Sequence, residues 1–97
     1  ANVTANVTGA LPASASVAAA SSGVTFSPAT VVVARNANVT FSFGALNHNV
    51  IFRTATGAPA NVPTTTNAAV ARTFATAGNF DYDCSIHAGM TGKVLVR

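Results

Sequence analysis

The chain has 97 residues, enough for one domain with one modest core. Charged residues make up 7% and hydrophobic residues 49%, which excludes a disordered chain of high charge and low hydrophobicity. The net charge of +3 sets Arg35, Arg53, Arg72, Lys93 and Arg97 against Asp81 and Asp83, without a basic cluster to hold nucleic acid and without an apolar run long enough to span a membrane.

Val, Thr and Phe dominate, punctuated by Asn, Gly and Pro, so the predicted elements are β. Residues 2–8 alternate, with Val3, Ala5 and Val7 on one face. Residues 9–23 are rich in Ala and Ser and contain Pro12; they predict a loop with one helical turn around 13–20 at the edge of the fold. The single domain, 1–97, thus opens with an atypical strand and an Ala/Ser-rich loop over 1–23. A short strand over 24–26 is ended by Ser27-Pro28. The β-branched run at 30–34 predicts a strand covered on both sides. Arg35-Asn36-Ala37 predicts a turn, because Asn tolerates positive φ. Residues 38–43 alternate with Val39, Phe41 and Phe43 inward, and 50–52 form the next strand. Residues 54–67 hold Gly57, Pro59 and Pro63 and predict mostly loop. Strands over 70–76 and 79–84 flank the turn Ala77-Gly78; Phe80, Tyr82 and Cys84 share a face, and 93–97 closes the chain. Seven to eight short strands with turn signals every ~8–12 residues predict an all-β fold, a β-sandwich.

The tetrapeptide Ala-Asn-Val-Thr recurs at 1–4, 5–8 and 37–40, too short for a structural repeat. Each copy is also an acceptor sequon for N-glycosylation, at Asn2, Asn6 and Asn38, and Asn-Val-Thr equally suits the start of a strand.

The inventory for chemistry is small: two acids, two histidines, one cysteine and one methionine. One cysteine excludes an internal disulfide. A carboxylate dyad could only be Asp81 with Asp83, at i and i+2 on one solvated strand face. Cys84-Ser85-Ile86-His87-Ala88-Gly89-Met90 places three potential metal ligands within seven residues, at a strand end and in the following loop. His48 lies upstream, just before another strand, and loops at one end of a sandwich can meet. Two imidazoles and a thiolate, with a thioether as weak fourth ligand, select copper. Zinc is second choice, because structural zinc takes four Cys or His ligands and catalytic zinc wants a general base, none of which is evident. Each residue alone has an ordinary reading, the cysteine and methionine as core and the histidines as hydrogen-bonded surface. Together, the only Cys, both His and the only Met can converge on one loop end.

Residues 78–96, built around Cys84-Ser85-Ile86-His87-Ala88-Gly89-Met90, resemble the copper-binding signature of plastocyanin-type cupredoxins. Asn47-His48-Asn49-Val50-Ile51-Phe52 resembles their upstream histidine motif, and Phe26-Ser27-Pro28 with Val31-Val32-Val33 resembles an early segment of small cupredoxins. The resemblance runs from about 24 to 97, and the Cys-x₂-His-x₂-Met loop is similar to that of amicyanin. It implies a Greek-key sandwich with one copper ion cycling Cu(II)/Cu(I), His48, Cys84 and His87 as equatorial ligands and Met90 as axial ligand. It further implies that Asn49 ties the His48 loop to the Ser85 region. The implied function is one-electron transfer without enzyme activity; the alternative is copper trafficking or storage on the same ligands. His87 is the implied electron port, amid Ile86, Ala88, Gly89 and Leu46, for transient contact with a cytochrome or a copper or haem oxidoreductase. The resemblance also implies a monomer in the periplasm or outside the cell, and the start at Ala1 without a leader fits a mature exported chain. The chain departs from the family at Asp83, where plastocyanins carry Tyr, and in lacking an acidic patch. Ile86 replaces a common Pro and leaves a peptide N–H to reach the thiolate.

Overall fold

The computed structural model describes residues 11–53 and 56–97; the strand expected over 2–8 and the sequons at Asn2 and Asn6 lie outside the described residues. Among the described residues nine strands form: β1 (Ser14–Ala19), β2 (Phe26–Ser27), β3 (Thr30–Val33), β4 (Ala37–Phe43), β5 (His48–Phe52), β6 (Val62–Thr65), β7 (Ala68–Phe74), β8 (Gly78–Asp83) and β9 (Thr91–Val96). The strand count exceeds the expected seven to eight because β1 and β6 form within segments 9–23 and 54–67, where loop was expected. One sheet runs β2-β1-β4-β7 and the other β3-β9-β8-β5-β6. β1–β4 and β3–β9 pair in parallel, and the remaining neighbours are antiparallel. Among the described residues no helix is long and apolar enough to cross a membrane.

Alternation sets the two faces. Along β4, Ala37, Val39, Phe41 and Phe43 are buried, while Asn38 and Ser42 face solvent. Phe80 and Tyr82 of β8 and Val94 and Val96 of β9 meet them from the opposite sheet in one core. The Tyr82 ring stands edge-on to Phe26 and Phe41, with centroids 4.9 and 5.4 Å away. Such aromatic pairs add about 0.5–1.5 kcal/mol each beyond the area they bury. Gly92 is required here, because a Cβ would overlap the Tyr82 ring. At the β6–β7 side, Arg72 of β7 donates to the carbonyls of Ala60 and Asn61 at 2.9 and 3.0 Å, joining one sheet to the loop that leads into the other.

Two expectations are corrected. Residues 14–19 form a strand and not a helical turn. Val17 and Ala19 point inward while Ser14, Ser16 and Ala18 point out, a period of two. The segment pairs residue by residue with β4, and this pairing overrides the helix propensity of its alanines. The Val-rich run at 30–33 is an edge strand covered on one side only: Val33 is buried and Val32 is 42% exposed. A β-branched run reports strand preference, and the topology decides which faces are covered. The turn at 35–37 is as expected, with Asn36 at φ 70°.

Parallel β1 and β4 deliver Ala20 and Gly44 to the same end of the sandwich. β5 begins and β8 ends there too, so His48 and Cys84 leave their strands side by side.

Candidate metal centre

His48 opens β5 and is fully buried. His48, Asn49 and Val50 are buried in succession, which breaks strand alternation. A register irregularity between His48 and Val50, opposite β6, accounts for it, since a bulge turns consecutive side chains inward. Cys84 follows the last residue of β8 and is also buried. The Cys84 amide donates to the Met90 carbonyl at 2.9 Å and the Met90 amide to the His87 carbonyl at 3.4 Å, closing a compact ligand loop. Gly89, at φ 80°, makes the left-handed turn that brings Met90 back into the core, where it is fully buried.

The donor atoms converge. His48 Nδ1 lies 3.1 Å from His87 Nδ1, His87 Nδ1 lies 3.5 Å from Cys84 Sγ, and His48 Nδ1 lies 3.9 Å from Cys84 Sγ. An ion bonded at about 2.0 Å to nitrogen and about 2.3 Å to sulfur spaces trigonal donors by about 3.5–3.8 Å, so this triangle has the size of a metal ion. The tautomer agrees. His48 Nε2 donates to the Ala20 carbonyl at 2.7 Å, which leaves the Nδ1 lone pair aimed at the cluster. Electron pairs gathered from two imidazoles and a sulfur are satisfied by a cation at their centre. The donor set, with Met90 from the same loop, fits copper in the trigonal His₂Cys pattern with a weak thioether.

Outer contacts hold these ligands. Asn49 Nδ2 donates to Ser85 Oγ and the Ser85 amide donates to Asn49 Oδ1, both at 2.8 Å. The Asn49 side chain therefore bridges the His48 and Cys84 segments. The amide that reaches the sulfur is that of Asn49, 3.5 Å from Cys84 Sγ, where the sequence pointed to Ile86. Asp83 turns from the site to Arg53, whose Nε donates to its Oδ2 at 2.9 Å. His87 is partly exposed and His48 is sealed, so the site opens to solvent through one ligand. The residue that sequence reasoning missed is Ala20. It acts through its backbone carbonyl, so no side-chain signal could have marked it.

A family model described as copper binding proteins of the plastocyanin/azurin family matches residues 13–97. No curated protein sequence matches. Among solved structures, the chain is similar to a reduced amicyanin variant, 31% identical over 84% of this chain and 80% of that one, with a TM-score of 0.72. An oxidised amicyanin variant is 28% identical, with 90% of each chain covered and a TM-score of 0.74. Oxidised plastocyanin from Dryopteris crassirhizoma shares the fold at 22% identity, covering 84% of this chain and 99% of that one, with a TM-score of 0.75. With a matching family model over nearly the whole length and the four ligands gathered at one loop end, the chain belongs to the plastocyanin/azurin family of copper binding proteins, and His48, Cys84, His87 and Met90 are its type 1 copper site.

Proposed function

We propose that this chain carries single electrons between redox proteins, taking and giving them through His87. One observation carries the reading: three ligand atoms already lie within 4.8 Å of one another, and only His87 among these residues reaches the surface. Copper held there supplies a one-electron Cu(II)/Cu(I) couple. The chain's own part is to keep the ligands still. Ala20 fixes the His48 ring, Asn49 braces the Ser85 region, and the Cys84–Met90 backbone bond closes the loop. Ligands held in advance reorganise little when the charge changes. The family is one of electron carriers, and the chain is not an enzyme.

The surface around His87 supports a transient partner. Ile86 is 46% exposed, Ala88 and Gly89 are exposed, and Leu46 is half-buried. The ligand loop carries no acidic or basic side chain besides His87. Such a patch suits a brief contact burying under ~1,200 Å² in total, with mild salt dependence. Its chemistry fits an apolar docking face on a cytochrome or on a copper or haem oxidoreductase, met by a monomer in the periplasm or outside the cell.

Copper trafficking on the same ligands is the competing use. Burial of His48, Cys84 and Met90 speaks for a retained ion. Adding Cu(II) to the metal-free protein tests the reading. An intense visible thiolate-to-copper band at one equivalent, lost only slowly to a chelator, supports the carrier. Rapid transfer to the chelator supports trafficking, and a colourless protein overturns both.

A further inference from the structure

The solvent face of the β2-β1-β4-β7 sheet has an unusual composition. In register across it lie Ser14–Asn38–Thr73, Ser16–Thr40–Ala71 and Ala18–Ser42–Ala69. No side chain in this grid is charged, and apart from Asn38 none is larger than threonine. A β face without charge has no charge repulsion to keep a second copy away. Asn38 stands in its outermost row and is the asparagine of Asn38-Val39-Thr40, a motif that the copper site does not use.

The geometry around Asn38 is specific. The Thr73 hydroxyl donates to Asn38 Oδ1 at 2.6 Å, fixing the amide plane. Among the described residues Nδ2 has no hydrogen-bond acceptor, and the residue is exposed. Its cross-strand neighbours are Ser14 and Thr73, and Thr40 follows two residues on, so among the described residues its neighbours on this face are small. β4 runs toward the copper end, which places Asn38 at the opposite end from His87.

We propose that Asn38 is an N-glycosylation site, and that its oligosaccharide covers this uncharged face while leaving the His87 surface open. In the transfer, Asn38 Nδ2 bonds to the anomeric carbon of a lipid-diphosphate-linked oligosaccharide. The sugar–phosphate C–O bond breaks, the lipid diphosphate leaves with its electron pair, and Nδ2 gives up one proton. The modification rests on the export proposed above, since such donors are met by exported chains. The proposal stands apart from the copper reading.

The test uses protein isolated from its own host. Trypsin releases residues 36–53, which contain no other sequon. The expected result is that this peptide carries sugar mass increments, removed by an amidase that leaves aspartate at position 38. Recovery of the peptide at its unmodified mass alone overturns the proposal. Thr40→Val keeps a β-branched residue in the strand and deletes the hydroxyl that the sequon requires. In the same host it is expected to abolish the modification while retaining the fold. A modification that persists in Thr40→Val overturns the assignment to sequon-directed transfer.

Discussion

Ala20 and His48 are joined across the two sheets by a 2.7 Å hydrogen bond from the imidazole Nε2 to the Ala20 carbonyl. The bond ties a buried ligand to the end of β1, so the geometry of the copper site depends on a segment that contributes no ligand. Ala20 is itself held, because its amide donates to the Thr25 carbonyl at 3.0 Å within the turn to β2.

That dependence can be tested through Gly44, which lies against the same turn. A Cβ on Gly44 would come 2.6 Å from Ser21 Oγ and 3.4 Å from Ser21 Cβ. Gly44→Ala asks only a hydroxyl to rotate, whereas Gly44→Val pushes the residue after Ala20. Gly44→Val is expected to weaken copper binding about tenfold, the lower end of what disturbing an outer partner costs. Competition with a chelator measures it. Ser21→Gly in the Gly44→Val background should recover most of the loss; without recovery, the coupling does not run through Ser21.

Asn49 is 7% exposed and makes two 2.8 Å hydrogen bonds to Ser85. Asn49→Ala is expected to lower the stability of the metal-free protein by about 2–3 kcal/mol, the loss of two hydrogen bonds of about 1 kcal/mol each plus an unsatisfied group. Ser85→Ala removes only the hydroxyl acceptor and should cost about 1 kcal/mol. Urea denaturation compares the two. Equal losses would mean that the Ser85 amide bond to Asn49 contributes nothing.

The ligand roles separate by spectrum and potential. Cys84→Ser deletes the only thiolate donor and is expected to abolish the visible band while the sandwich persists, as far-ultraviolet dichroism would show. Met90→Gln should retain copper and lower the reduction potential, because a harder axial oxygen favours Cu(II). An unchanged potential would assign Met90 to packing alone.

The sequence carried the ligand set because His, Cys and Met are scarce in this chain and their side chains do the chemistry. The β4 and β8 faces were legible for a similar reason, since strict alternation leaves one reading. Residues 14–19 were not legible: alanine and serine fit helix, loop or strand, and only pairing with β4 decides. The edge position of β3 was hidden because sheet order is a property of the whole chain. Ala20 was invisible because every residue but none in particular offers a carbonyl.

Gly92 and Tyr82 form a tight pair in which one residue's missing side chain makes room for the other's ring. Gly92→Ala is expected to destabilise the protein by about 1–3 kcal/mol, the usual range for overpacking a core. Tyr82→Phe shortens the ring at its tip and should relieve part of that clash. In a thermal or urea series, the double variant is therefore expected to lose less than the sum of its parts. Additive losses would place the clash elsewhere.

The Tyr82 hydroxyl is buried without a partner among the described residues, and burial pushes its ionisation well above the ordinary tyrosine range. In the unfolded chain the same phenol ionises near pH ~10. Below that pH both states hold the proton and the group adds no slope. Above it the unfolded state releases its proton and the folded state keeps its own, so stability falls as pH rises. The slope approaches about 1.4 kcal/mol per pH unit between the unfolded and folded values. Tyr82→Phe is expected to remove this alkaline loss, and also to raise stability near neutral pH by about 1 kcal/mol, because a buried hydroxyl without a partner is costly. Urea unfolding free energies at about pH 8 and about pH 11, on either side of the free phenol value, measure both effects. A wild-type protein that loses no more than Tyr82→Phe over this range would show that the hydroxyl ionises in the folded state as it does in the unfolded one. A neutral-pH loss in the variant would show that it has a hydrogen-bonding partner, such as a buried water.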